Sequence, residues 1–431
     1  EPSTGRRAVQ ARHRNHPPQV SLRGRRLRLP PPSPNRLPML RVVQRRPVIS
    51  KHPQINSGHS HQRLPRCRLQ RRLRHRRSPR CRRYRRDRPA RVEFAVRVEH
   101  TAMPPLPLTP TDVRHEVELA SVRIAGHVRE TPCEPSPALS VESDARVNLK
   151  LENEQVTASF KARGAVNKVM ALSGEDLERG LVTASVGNHA LGMLYAAELV
   201  GAGCEIWISD QVSSAKMAAL KGRGASLKIV EGGDPGGIEV LARRAAQESG
   251  RVYVSPYNDP QVIGGQGTIA AELVRQVGEI DVVFVPVGGG GLAAGIGGYL
   301  KEIDPGITIV GCQAANSPVV SASLAAGGGL LELPWQASLA DGVVGLVEPD
   351  AITYELCRTC VDEWVLLSEA EIAVALRLLM VEHSILVEGA GALSVAAYRQ
   401  TRRRWAGASA VCLVSGARIS LITLAEVLRA E

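Results

Sequence analysis

The sequence predicts a parallel α/β fold, and three observations carry that expectation. After about residue 103, short apolar runs alternate with Ala- and Leu-rich stretches. The apolar runs are nearly continuous, as in strands buried on both faces. Small-residue and glycine turns, at 185–190 and 288–292, fall where strand gives way to helix. In chain order, β-rich apolar runs place strands at 147–151, 180–184, 204–209, 226–230, 251–255, 282–287 and 308–311. Ala/Leu-rich stretches place helices at 161–172, 190–199, 215–223, 238–247, 267–277 and 292–303. Ligands of such sheets sit beyond the carboxyl ends of strands, so the strand-to-helix turns hold the candidate site.

Charge divides the chain. Its 431 residues carry a net +13, but residues 1–100 hold 29 Lys+Arg against 4 Asp+Glu, a net of +25. The remainder holds 26 against 38, a net of −12. Residues 1–102 contain 28 Arg, one Lys and 13 Pro with no sustained period, a composition that favours disorder. We expect this stretch to be a non-native extension and the working polypeptide to begin at Met103. An Arg-rich nucleic-acid-binding arm, which would make the chain a nucleic-acid-binding protein, and an organelle-targeting segment are the alternatives. The acidic body argues against nucleic acid as a partner. No run approaches the roughly 20 apolar residues of a membrane span, and no secretory signal is present. The 8 Cys are scattered rather than framed as disulfides, which suits a reducing, cytoplasmic setting. Cys357 and Cys360 form a Cys-x-x-Cys with no second pair, so they are read as two thiols in one element, not a metal site.

Three segments carry chemistry. Gly288-Gly289-Gly290-Gly291, followed by Leu292, lets bare backbone N–H groups and a helix N-terminus meet a phosphate. A dinucleotide fingerprint is the rival, but the acid it needs on the next strand is replaced by Gln313. Ser185-Val186-Gly187-Asn188-His189 puts a hydroxyl, an amide and N–H donors at another helix start, suited to a carboxylate or phenolate. Lys161 opens a small-residue, apolar helix after Phe160, where partial desolvation lowers its pKa and frees a nucleophilic amine. A phosphate cradle, a carboxylate cradle and an isolated Lys together describe what pyridoxal phosphate needs.

Asn148–Glu152, Thr157–Ala165, Ser185–Ala190, Gly264–Thr268, Gly288–Leu292 and Ser415-Gly416 follow in order. From about residue 110 onward the chain resembles the serine/threonine dehydratase group of fold-type II pyridoxal phosphate enzymes, relatives of serine racemase. The resemblance implies a two-lobed, tryptophan synthase β-like fold with parallel sheets flanked by helices. Its small lobe would span 182–261 and its large lobe 103–181 plus 262–431. It implies that Lys161 carries the Schiff base and moves the Cα proton, and that Gly288, Gly289, Gly290, Gly291 and Leu292 hold the phosphate. Asn188 would meet the phenolic oxygen, Ser415 the pyridine nitrogen, and Phe160 the ring. Ser185, Asn188 and His189 would bind the carboxylate of a small amino-acid substrate.

The implied reaction is β-elimination from L-threonine or L-serine to a 2-oxo acid and ammonia. A lyase for another β-substituted amino acid, such as 3-hydroxyaspartate, is the alternative, and a silent relative is a third. A homodimer is implied. Val186 stands where racemase-like members place a second Ser, which disfavours racemisation. Gln313, Ser317 and Val319 stand where some relatives bind a divalent cation, so no metal is expected. Ala158 replaces a common Gly, Arg418 replaces a common Asn, and Glu388 and Asp341 match family segments near the site. Too few residues follow Ser415 for a regulatory domain like that of biosynthetic threonine deaminases.

Overall fold

The structure, a computed structural model, describes residues 108–212, 214–232 and 235–429. The expectations for residues 1–102 and for a start at Met103 lie outside the described residues. The described chain builds two sheets. The larger has six strands: β1 (Cys133–Pro135), β2 (Arg146–Leu151), β7 (Val282–Pro286), β8 (Thr308–Ala314), β9 (Glu363–Leu367) and β10 (Ser409–Val414), in the order β1-β2-β10-β7-β8-β9. All its pairings are parallel except β1 with β2. The smaller has four parallel strands: β3 (Leu181–Ala184), β4 (Cys204–Ser209), β5 (Ser226–Val230) and β6 (Val252–Tyr253), in the order β5-β4-β3-β6. The smaller sheet is inserted in sequence between β2 and β7.

Fourteen α-helices are described: α1 (Pro110–Arg123), α2 (Pro137–Val141), α3 (Lys161–Met170), α4 (Gly174–Arg179), α5 (Asn188–Val200), α6 (Ser214–Lys221), α7 (Pro235–Ser249), α8 (Pro260–Gln276), α9 (Gly291–Ile303), α10 (Val319–Ala326), α11 (Ile352–Cys360), α12 (Glu369–His383), α13 (Gly389–Thr401) and α14 (Leu421–Arg429). β7 and β10 are buried at every position, as central parallel strands must be. One face of the large sheet packs on α12 and α13 through Phe284, Leu376, Leu393 and Tyr398. The other packs on α8, α9 and α11 through Val285, Leu273, Ile296 and Cys360.

Local chemistry sets the ends. Thr109 and Asp112 form a reciprocal capping box on α1, as do Ser368 and Glu371 on α12. Asp259 caps α8 from its side chain, with Pro260 in the first helical position. That helix therefore begins at Pro260 and not at 267. Its glycines are not a turn but a packing face: a β-carbon at Gly265 would lie 2.6 Å from Arg163 O. The strand expected at 251–255 contracts to Val252–Tyr253. The Val254 carbonyl is taken by the Thr183 hydroxyl at 2.8 Å and faces the His189 ring, so the ladder ends there. The 308–311 strand runs on to Ala314, because β9 pairs with it through Leu367.

Candidate active site

Lys161 is the first residue of α3, and its Nζ donates to Pro256 O at 2.8 Å. Burial lowers its amine from the ordinary lysine range to about 8, although Glu239 and Glu388 pull it back upward. The ammonium stands 5.1 Å from the centroid of the Phe160 ring. Phe160 is in turn fixed to the end of β10, its N–H donating to Ser415 O at 3.2 Å. An isolated bridge between Ser159 and Gly416 continues that contact. Phe160 and Lys161 thus meet Ser415, far away in sequence, at the carboxyl end of the central strand β10.

The glycine turn follows β7 and reaches the same place through Tyr257, the neighbour of Pro256. A β-carbon at Gly289 would fall 2.5 Å from the Tyr257 ring, so only glycine fits against it. Gly290 has φ 88°, the left-handed conformation that disfavours side chains. It caps α9 without any side chain, leaving the first N–H groups of that helix open; buried Leu292 follows in its first turn. Thr353 holds the turn's shape by donating to Gly289 O at 2.6 Å. Cys357 and Cys360 lie buried on α11 and face Gly290 O and Ala293 O. Their pairing is a packing feature under the cradle.

The Ser185–His189 turn joins β3 to α5. Gly187 precedes that helix without a side-chain cap, so its first N–H groups are open too. Ser185 Oγ accepts from Gly187 N–H at 3.3 Å. Asn188 reaches across 200 residues of sequence, its Nδ2 donating to Glu388 Oε1 at 2.7 Å. Its Oδ1 is buried with no partner. The His189 ring turns away from the turn, with Nε2 3.2 Å from Val254 O. Burial, then the nearby Lys161 charge, depresses it to about 3, so the imidazole is neutral. With Nε2–H donating to that carbonyl, Nδ1 is left without a partner.

Glu388 ties Asn188 to the segment after β10. It precedes α13 but gives that helix no side-chain cap. Besides Asn188, it accepts from Arg418 N–H at 3.0 Å. Burial, with Asp341 nearby, raises it to about 7. Arg418 is exposed overall, yet its Nε reaches Thr157 O at 3.3 Å, so it braces the loop before Lys161. The link between Asn188 and Glu388 has no signature in spacing and was legible only as a matching segment. Gln313 and Ser317 serve internal hydrogen bonds, Gln313 to Ser321 N–H at 2.9 Å and Ser317 to Gly345 N–H at 3.3 Å. Among the described residues, no group of three or more His, Cys, Asp or Glu gathers to hold a metal ion.

Ala158 sits at φ 61° in the loop before Phe160, and its carbonyl accepts from Ala417 N–H at 3.0 Å. A β-carbon in that conformation costs about 1–2 kcal/mol. Glycine removes the strain but adds unfolded-state entropy. We expect Ala158→Gly to stabilise the protein by a net of about 0.5–1 kcal/mol. An equilibrium urea titration checks it: the midpoint rises at unchanged slope.

An open-ended helix beside a glycine turn, an amide with an unpartnered oxygen and a half-buried amine of lowered pKa fit a phosphorylated aldehyde with a polar ring. The comparisons with known proteins agree. The profile of the family described as "Pyridoxal-phosphate dependent enzyme" matches residues 124–416. The catabolic L-threonine dehydratase TdcB of Staphylococcus aureus (strain N315) is 39% identical over 317 residues, covering 73% of this chain and 91% of that protein. The L-threonine ammonia-lyase of Thermotoga maritima is 38% identical over 282 residues, 65% of this chain and 70% of that one. Among solved structures, maize serine racemase superposes with a TM-score of 0.67 at 30% identity, covering 73% of this chain and 97% of that one. The chain belongs to the family of pyridoxal-phosphate dependent enzymes.

Proposed function

We propose that this protein is an ammonia-lyase that converts L-threonine and L-serine to a 2-oxo acid and ammonia by β-elimination. The observation that carries the reading is Lys161, a half-buried amine that donates to Pro256 O, next to the Tyr257 ring that backs the glycine turn, and that follows Phe160, which is bonded to Ser415 O. Relatives at 34–39% identity are named as L-threonine dehydratases or ammonia-lyases, which supports it. When bound, pyridoxal phosphate supplies the electron sink for the pair left when the substrate's Cα loses its proton.

The chain's residues do the rest. Lys161 would hold the cofactor and, as a free amine, take the substrate's Cα proton. The N–H groups of Gly288–Leu292 and the α9 N-terminus would hold the phosphate. Ser415 would offer a neutral hydroxyl to the pyridine nitrogen, and Phe160 would lie beside the ring. Asn188, oriented by Glu388, would offer the second N–H of its Nδ2 to the phenolic oxygen. Ser185 and the N–H groups of Asn188 and His189 receive the substrate carboxylate. His189 contributes by backbone, since its neutral ring is spent on Val254 O. The lobe of 182–261 closes on the lobe of 103–181 and 262–431 to exclude water.

A homodimer in the cytoplasm completes the proposal. The family resemblance supports the dimer, and six free thiols among the described residues support a reducing compartment. The acidic body gives no reason to expect nucleic acid as a partner. Purified protein is incubated with L-threonine, L-serine and 3-hydroxyaspartate, and 2-oxo acid is assayed. Release from the first two supports the reading; release from 3-hydroxyaspartate alone sinks it. By the family resemblance Val186 stands where racemase-like members place a second Ser, and its side chain carries no proton to give. D-Serine made from L-serine should therefore stay negligible beside pyruvate, as chiral chromatography would read.

A further inference from the structure

The segment Pro256-Tyr257-Asn258 touches both Lys161 and the glycine turn. Pro256 O accepts from Lys161 Nζ at 2.8 Å. The Tyr257 ring lies against the turn: a β-carbon at Gly289 would fall 2.5 Å from it, and one at Gly291 3.0 Å from the tyrosine Cα. No strand or helix holds this segment, since β6 ends at Tyr253 and α8 begins at Pro260. Its side chains are held by the stretch before α11 instead. Glu348 makes two of those contacts: its N–H donates to the Tyr257 hydroxyl at 2.9 Å, and its carboxylate accepts from Asn258 Nδ2. Asn258 Oδ1 accepts from Ile352 N–H at 2.9 Å, at the start of α11, where Ala351 gives no side-chain cap. Thr353, next along α11, donates to Gly289 O at 2.6 Å, so the turn is touched by both Tyr257 and α11. Arg243 of α7 pairs with the same Glu348 carboxylate, and that helix packs on β3 through Ile238 and Ala242. Glu348 is 8% exposed, so its bonds form away from bulk water, where each is stronger.

We propose that Glu348 is a positioning residue for the cofactor's phosphate: by clasping Tyr257 and Asn258 it keeps the tyrosine ring against Gly289 and Gly291 and so fixes the N–H groups of the turn. This rests on the reading of Gly288–Leu292 as the phosphate cradle. A carboxylate repels a phosphate, so Glu348 acts through Tyr257 and not by contact. The requirement is rigidity. Glycine loses more freedom on ordering than any other residue, and Gly288–Gly291 have no side chains with which to fix themselves. N–H groups ordered before the anion arrives bind it more tightly than groups that must be ordered by it. The clasp must therefore come from outside the turn, and Tyr257 with its two bonded neighbours supplies it.

The test compares two ligands of the cofactor-free full chain: pyridoxal 5'-phosphate, and pyridoxal, which lacks the phosphate. Dissociation constants are read from titrations of the visible absorbance. Wild type should prefer the phosphorylated form, and Glu348→Ala should cut that preference about tenfold, the loss of one charge-assisted bond. Its affinity for pyridoxal should change much less. Tyr257→Phe keeps the ring but removes the acceptor of Glu348 N–H, and should cut the preference in the same direction. A general loosening of the fold weakens both ligands alike and leaves their ratio level, so a merely structural role is told apart. The Glu348→Ala ratio decides; if that variant fails to fold, the Tyr257→Phe ratio decides in its place. A preference kept at the wild-type value overturns this inference alone. A wild type with no preference for the phosphate overturns the cradle reading and this inference with it, so the two failures are distinguishable.

Discussion

Lys161→Ala is expected to abolish both the visible absorbance of bound cofactor and 2-oxo acid production from L-threonine. The loss in turnover should reach on the order of 10⁴-fold or more, because one amine is both the attachment and the base. Its setting explains why lysine is required. Burial brings the amine to about 8, so an appreciable fraction is unprotonated at neutral pH, and that fraction grows as pH rises through 8. Lys161→Arg is the informative companion: it keeps a cation near the Phe160 ring but removes the nucleophile, and it should fail equally. The thermal midpoint of each variant separates lost chemistry from lost folding. Either variant retaining both absorbance and turnover would overturn the assignment.

How much of this was legible in the sequence follows from the range of each interaction. β4 and β5 lie where the apolar runs put them, β4 as a largely covered strand inside the small sheet and β5 as its exposed edge strand. The glycine turn and Lys161 declare themselves too, because their chemistry sits in short, contiguous segments. The start of α8 was hidden, since its glycines read equally as a turn until Arg163 and Gly295 pack against them. The Asn188–Glu388 bond was hidden as well, for it joins residues 200 apart. The destination of the His189 ring depended on where β6 stops, which apolarity alone does not mark.

Arg163 lies two residues beyond Lys161 and is expected to matter for stability as Lys161 does for chemistry. Its side chain is fully buried. It donates to both Glu152 oxygens at 2.7 and 2.8 Å and to both Glu272 oxygens at 2.5 and 2.9 Å. Lys150 adds a bond to Glu272 at 2.5 Å, and Thr131 one to Glu152 at 2.5 Å. The network clamps α3 between the end of β2 and the middle of α8, and so fixes the helix that carries Lys161. Arg163→Ala strands two buried carboxylates and should cost about 3–5 kcal/mol. Arg163→Lys keeps the charge but cannot fork to two carboxylates, and should fall between the two.

The pH dependence gives this clamp a sign. Burial would raise Glu152, but Arg163, Thr131 and Lys150 together hold it below the ordinary carboxylate range. A carboxyl lowered in the folded state contributes stability above its unfolded pKa and loses it as pH falls through the folded value. Wild type should therefore lose stability on acidification, and Arg163→Ala should lose less, because its carboxyls no longer have that cation to give up. Urea midpoints measured from pH 7 down through and below the ordinary glutamate range, to about pH 3, check the difference. Parallel slopes for the two proteins would show that the clamp does not govern acid stability. A destabilisation below about 1 kcal/mol at pH 7 would show that the buried charges find other partners. Cofactor retention should fall with the clamp as well, since α3 would no longer hold Lys161 against Pro256 O.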